Sequence, residues 1–141
     1  HSPRQALAIS LTMHKHGTLD RDNPVVNQTL QEADKFLYKL TTESTFDPNL
    51  LNFYIFFLID ILHNSSRAEK MYEQAIAVNP DHANILGNYA NFLWVIRHDF
   101  NRAQNMYQRA IKANPNHARN FERLFKEPFS PEIPQDRPGS A

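Results

Sequence analysis

Apolar side chains recur at spacings of three and four residues through most of the chain, which is the period of an amphipathic helix. Short polar stretches containing Asn-Pro, His-Asn or His-Asp pairs interrupt these apolar runs. A residue that precedes proline disfavours helical backbone angles, so each Asn-Pro pair predicts a helix boundary. The alternation of apolar helical runs and polar breaks predicts an all-α protein.

Capping residues and prolines predict where the helices begin and end. One helix should begin at Asp47-Pro48 and end before His63, and the next should be capped by Ser65 or Ser66 and end at Asn79-Pro80. The remaining helices are predicted at about 3–16, 24–44, 83–97, 100–113 and 116–126.

Two consecutive segments of the chain repeat each other. When residues 49–83 are laid over residues 84–118, seventeen of the 35 positions are identical. The shared residues include Leu51/Leu86, Tyr54/Tyr89, Ala68/Ala103, Tyr72/Tyr107, Ala75/Ala110 and Pro80/Pro115. A weaker unit precedes them, because Ala33-Asp34-Lys35 copies the small, acidic and basic order of Ala68-Glu69-Lys70. The sequence therefore predicts repeated helical hairpins.

These repeated helix pairs resemble tetratricopeptide repeats, in which small residues and a closing proline stand at fixed points. The alanines that begin and end the second helix match the family, as do Pro80 and Pro115. The Leu-Gly pair of the family is met only loosely, by Tyr54-Ile55 and Tyr89-Ala90, and the spacing implies one extra residue at the turn between helices. Half-a-TPR repeats of RNA-processing scaffolds are the nearest alternative, although the Trp expected early in their first helix is missing.

The resemblance implies a right-handed α-α superhelix (solenoid) of about three helical hairpins with a C-terminal capping helix. In this interpretation residues 1–48 form a degenerate hairpin, and residues 49–83 and 84–118 are the two clear repeats. Residues 116–127 form the capping helix, and residues 128–141, which contain four prolines, are a tail or linker.

The family binds peptides or partner helices in a concave groove lined by the first helix of each hairpin. Some members hold the C-terminal carboxylate of a peptide with Lys, Asn and Arg side chains. The positions that match these side chains here are Asn52, Phe56, Asn88, Arg119 and Arg123. Asn91, one helical turn from Asn88, would extend the same surface. Each of these has a simpler alternative role, as a solvated polar residue or, for Phe56, as part of the core. The resemblance implies that the partner is a protein or peptide, acidic or C-terminal in character.

Composition narrows the function further. The chain has 15 basic and 15 acidic residues, which removes the bulk attraction that nucleic-acid binders use. It has no cysteine, which is compatible with a cytoplasmic, reducing compartment, and no apolar run as long as a membrane span. We find no motif for a nucleophile, a phosphate loop or a metal site, so we expect neither an enzyme nor a cofactor. The histidines recur by repeat rather than by ligand spacing.

Two other hypotheses remain beside a peptide-binding adaptor. Acidic residues predominate from Thr18 to Asp60 and basic residues from Arg97 to Lys126, so two copies could associate end to end as a homo-oligomer. The proline-rich tail is also a possible ligand of the protein itself.

Overall fold

The structure is a computed structural model that describes residues 2–117. Every regular element in this range is helical, which confirms the all-α prediction. The elements are α1 (Pro3–Lys15), α2 (Pro24–Glu43), α3 (Pro48–Phe56) continued by a π-helical turn (Phe57–Ile61), α4 (Ser65–Val78), α5 (Ala83–Val95), α6 (Phe100–Ala113) and a 3-10 turn (Pro115–His117). The rest of the predicted capping helix and the tail lie outside the described residues.

The described chain divides into two compact units, one up to Met71 and one from Tyr72 onward, with the division inside α4. In the first unit α2 packs against both α1 and α3, and in the second unit α5 packs against α6. Small residues that are fully buried, such as Ala33, Ala103 and Ala110, let neighbouring helices approach closely.

Side-chain caps begin most of the helices at the predicted places. Ser2 forms a capping box with Gln5, and Asn23 and Asp47 cap α2 and α3, each followed by proline in the first turn. The cap predicted at Ser65 or Ser66 is wrong, because α4 already begins at Ser65. Asn64, the residue before it, instead accepts a hydrogen bond from the Arg67 amide at 3.1 Å.

Wide backbone hydrogen bonds end the first helix of both repeats. In the first repeat the Leu62 amide donates to the Phe57 carbonyl and the Asn64 amide to the Leu58 carbonyl. In the second repeat the amides of Arg97 and Asp99 make the same two bonds 35 residues later, to the carbonyls of Phe92 and Leu93. These bonds span five and six residues instead of four, so the helix widens at its end.

The repeated histidines His63 and His98 occupy left-handed backbone conformations in these turns, with φ of 54° and 56°. A residue with a side chain adopts this conformation at a cost of about 1–2 kcal/mol, which glycine avoids. Histidine adopts this conformation more often than most residues with a side chain, so the turn accepts a histidine in both repeats.

Replacing His98 with glycine is expected to stabilise the protein by about 0.5–1 kcal/mol, since relief of backbone strain exceeds the added freedom of the unfolded chain. The matched variant His98→Val should destabilise it, because β-branched residues tolerate this conformation poorly. Chemical denaturation of the two variants and the wild-type chain measures both changes. Equal stability of all three proteins would contradict a strained turn.

Candidate binding surface

An aromatic surface is accessible on the first unit, and we call it the α3 surface. It consists of Asn52, Phe53 and Phe56 from α3 together with His14 from α1. The ring of Phe56 lies 6.1 Å from that of Phe53 and meets the ring of His14 edge-on at 6.0 Å. Phe56 is 37% exposed, so of its two predicted roles the core role is excluded.

An amide surface is accessible on the second unit, and we call it the α5 surface. Asn84, Asn88 and Asn91 follow one another along α5 at spacings of four and three residues, which places them on one helical face. Asn84 is exposed and also borders a cleft of about 350 Å³ at the start of the helix, whereas Asn88 and Asn91 are half-buried. Each amide carries both donors and acceptors, as the peptide groups of an extended chain do.

The two repeats share many buried residues and differ at two positions of these surfaces. Tyr54/Tyr89 and Leu58/Leu93, for example, are identical and buried in each repeat. On the surfaces Asn84 is identical to the exposed Asn49, whereas Asn88 and Asn91 stand where the first repeat has Phe53 and Phe56. Packing explains the shared buried residues, and it does not explain the differences at Phe53/Asn88 and Phe56/Asn91.

A partly buried polar cluster joins α3 to its neighbours in the first unit. The Tyr54 hydroxyl donates to Oδ1 of Asp34 at 2.6 Å and accepts a hydrogen bond from Nη2 of Arg67 at 2.8 Å. The other guanidinium nitrogen of Arg67 pairs with Oδ2 of Asp34 at 2.5 Å. The cluster ties α2, α3 and the first turn of α4 together.

This cluster favours the protonated forms of Tyr54 and Arg67. Burial and then the hydrogen bond to Asp34 raise the pKa of Tyr54 far above its usual value, so its hydroxyl remains a donor. Burial alone would lower the pKa of Arg67, but the hydrogen bond to Asp34 and the nearby tyrosine raise it overall. Tyr54, Asp34 and Arg67 are hydrogen-bonded to one another, so their role is structural.

The second repeat contains the corresponding tyrosine–arginine contact. Nη2 of Arg102 donates to the Tyr89 hydroxyl at 2.6 Å, and its guanidinium lies 5.8 Å from the centre of that ring. Arg102 also pairs with Asp99 at 3.6 Å and with Glu73 at 3.9 Å. Tyr72 stacks on Tyr89 at 5.1 Å, and burial raises its pKa. The tyrosines that recur in the sequence thus have packing and hydrogen-bonding roles.

The structure describes four of the six predicted groove residues, and these lie on two surfaces. Asn52 and Phe56 lie on the α3 surface, and Asn88 and Asn91 lie on the α5 surface. Asn52 and Asn88 each interact with another group of the protein. Arg119 and Arg123 lie outside the described residues, so their predicted role remains a prediction.

Sequence reasoning missed two members of the α3 surface. Phe53 lies three residues before Phe56, and this helical spacing is a signal that would have found it. No sequence signal pointed to His14, because its contact with Phe56 joins residues 42 positions apart. Only the packing of the helices in the first unit reveals that contact.

Three further findings concern metal binding, membrane crossing and similarity to known proteins. Within residues 2–117, no group of three or more His, Asp or Glu side chains is placed to hold a metal ion. None of the helices described is both long and apolar enough to cross a bilayer. Comparison with protein-family models, with curated proteins and with solved structures finds no match.

Proposed function

We propose that this chain is a protein–protein interaction module that binds a partner peptide or helix in the concave groove of a tetratricopeptide-like, right-handed α-α superhelix. The observation that carries the proposal is the contrast between the repeats, which share many buried residues and differ at the accessible positions Phe53/Asn88 and Phe56/Asn91. Accessible residues that packing does not require are the ones available for recognition. The absence of cysteine fits a scaffold in a reducing, cytoplasmic compartment.

The chemistry of the two surfaces indicates the kind of guest. The exposed ring of Phe56, supported by Phe53 and His14, offers an anchor for an apolar side chain. Asn88 and Asn91 offer amides that match the donors and acceptors of a peptide main chain. Arg119 and Arg123 are proposed to add charge-assisted bonds to a carboxylate, which favours an acidic or C-terminal peptide.

Peptides selected from a phage-displayed random library on the immobilised protein provide the test of this proposal. Phe56→Ala and Asn91→Ala should each weaken their binding about tenfold, because an anchoring ring or a hydrogen bond at an interface contributes about 1–2 kcal/mol. Helicity should stay unchanged, since neither side chain belongs to the core.

The matched controls are Gln104→Ala and Gln108→Ala, which remove exposed side chains of α6, a second helix of a hairpin. They should bind the selected peptides as the wild-type chain does. Peptides that lose affinity for the glutamine variants, but not for the Phe56 and Asn91 variants, would place the binding site elsewhere and refute the groove.

A further inference from the structure

An exposed stripe runs along α3 and its π-helical turn. Asn52, Phe56 and Asp60 are exposed and follow one another at intervals of four residues, whereas Tyr54 and Leu58 between them are buried. Side chains four residues apart lie about one helical turn apart on the same face. Asp60 therefore lies at the edge of the α3 surface, one turn beyond Phe56.

Asp60 gives this edge of the α3 surface a negative charge. It is the only charged residue among residues 48–61, and residues 44–64 contain no lysine or arginine. Within residues 2–117 its carboxylate has no ion-pair or hydrogen-bond partner. Arg21, from the loop between α1 and α2, contacts His63 at 3.4 Å instead. The carboxylate of Asp60 is therefore available to a cationic group of a partner.

The aromatic rings beside Asp60 suit the side chain that carries such a cation. The rings of Phe53 and Phe56 lie 6.1 Å apart with a tilt of 32°, and His14 meets Phe56 edge-on. Lysine and arginine lay their methylene stems along apolar surface, and aromatic faces attract their charged groups. A ring next to a carboxylate thus favours a basic side chain over an acidic one, which the carboxylate would repel.

The second repeat shows that helix packing does not require these residues. It has neutral, non-aromatic residues at the three corresponding positions, in the order Phe53/Asn88, Phe56/Asn91 and Asp60/Val95. Both helices nevertheless end in the same wide hydrogen bonds. The aromatic pair and the carboxylate occur together in one repeat and are replaced together in the other, which indicates a shared role.

We propose that the partner peptide presents a lysine or arginine to the α3 surface, with its methylene stem against the ring of Phe56 and its charge beside Asp60. This inference rests on the proposed function and specifies the residue that the guest places there. The apolar anchor of the guest is then the stem of a basic side chain. The carboxylate that Arg119 and Arg123 are proposed to bind is a separate part of the guest.

Parallel selections from a phage-displayed random library test the proposal. The library is selected on the wild-type chain and on the Asp60→Lys variant, and in each case the peptides that lose affinity when Phe56→Ala is added are kept. The wild-type chain should enrich lysine or arginine at one position of these peptides. The Asp60→Lys variant should enrich aspartate or glutamate there, because the charge of the surface is reversed.

The matched control is Glu43→Lys, which reverses the charge of an exposed carboxylate on α2, outside the α3 surface. This variant should enrich basic residues as the wild-type chain does. It carries the same change of net charge as Asp60→Lys, so it separates a local contact from a general electrostatic effect.

Affinities of one selected peptide measure the contact itself. Replacing its enriched basic residue with glutamine should weaken binding to the wild-type chain about fivefold, as expected for an accessible ion pair that also contacts a ring. Asp60→Asn should weaken binding of the parent peptide by a similar factor, and both changes together should cost little more than either alone. Asp60→Asn preserves the shape of the side chain, so it tests the contact even if Asp60→Lys does not fold.

The outcomes separate this inference from the proposed function. Phe56-dependent peptides without an excess of lysine or arginine, or with equal affinity for Asp60→Asn and the wild-type chain, would overturn the inference and leave peptide binding intact. Basic peptides selected by the Asp60→Lys variant would do the same. If no Phe56-dependent peptide were selected at all, the binding role of the α3 surface would fail and this inference with it.

Discussion

Replacing Phe57 with alanine is expected to destabilise the protein by about 3–5 kcal/mol, the usual cost of removing a fully buried aromatic ring. Phe57 is 0% exposed and begins the π-helical turn that ends the first helix of the repeat. A domain of this size is stable by only about 5–15 kcal/mol, so the variant should unfold at markedly lower denaturant concentration. Urea denaturation followed by circular dichroism measures the loss.

The neighbouring phenylalanine is the matched control for this prediction. Phe56→Ala removes the same kind of side chain one residue earlier in the helix, but Phe56 is 37% exposed. Its ring meets that of His14 edge-on. We expect its cost to stay below about 1 kcal/mol, as for most substitutions at partly exposed sites. If the two alanine variants lost equal stability, the separation of a core ring from a binding ring would be wrong.

Replacing Asp34 with alanine is expected to cost about 2–3 kcal/mol, because charge-assisted hydrogen bonds contribute more than neutral ones. The substitution removes the acceptor of the Tyr54 hydroxyl and the partner of the Arg67 guanidinium together. Tyr54 is fully buried, so its hydroxyl would lose one of its two partners away from water. Arg67 is 39% exposed on its side chain, which lets water replace part of its bond.

The control for the Asp34 variant is Glu43→Ala, which removes an exposed carboxylate at the end of the same helix. We expect this change to stay within about 0.5 kcal/mol of the wild-type chain. A double-mutant cycle with Arg67→Met then isolates the ion pair within the cluster. A coupling free energy near zero would show that Asp34 and Arg67 do not act together.

The sequence predicted the helices well because their signals are local. Proline, Asn and Asp at the helix starts, and Asn-Pro at the ends, act within one turn of the backbone. The one misplaced cap, at Ser65 or Ser66, arose where three capping residues in a row compete and only the backbone path selects Asn64. The widened end of the first helix had no signal in the sequence, because its hydrogen bonds depend on the backbone path.

The candidate surfaces could be predicted only in part. Asn88 was predicted from the family resemblance and Asn91 from its helical spacing to Asn88. Phe56 had two possible roles because an apolar helix does not reveal which face is covered. Its exposure and its contact with His14 follow from how α1 and α3 meet in the first unit.

By itself the sequence determined the helical class, the 35-residue repeat and most helix boundaries, since these depend on residues close together in the chain. The tertiary structure alone decided which side chains are covered. Ile61 and Ile96 stand at the same place in the repeat, yet one is fully buried and the other is 37% exposed. Burial depends on the neighbours that packing brings to a side chain, and periodicity along one helix cannot specify them.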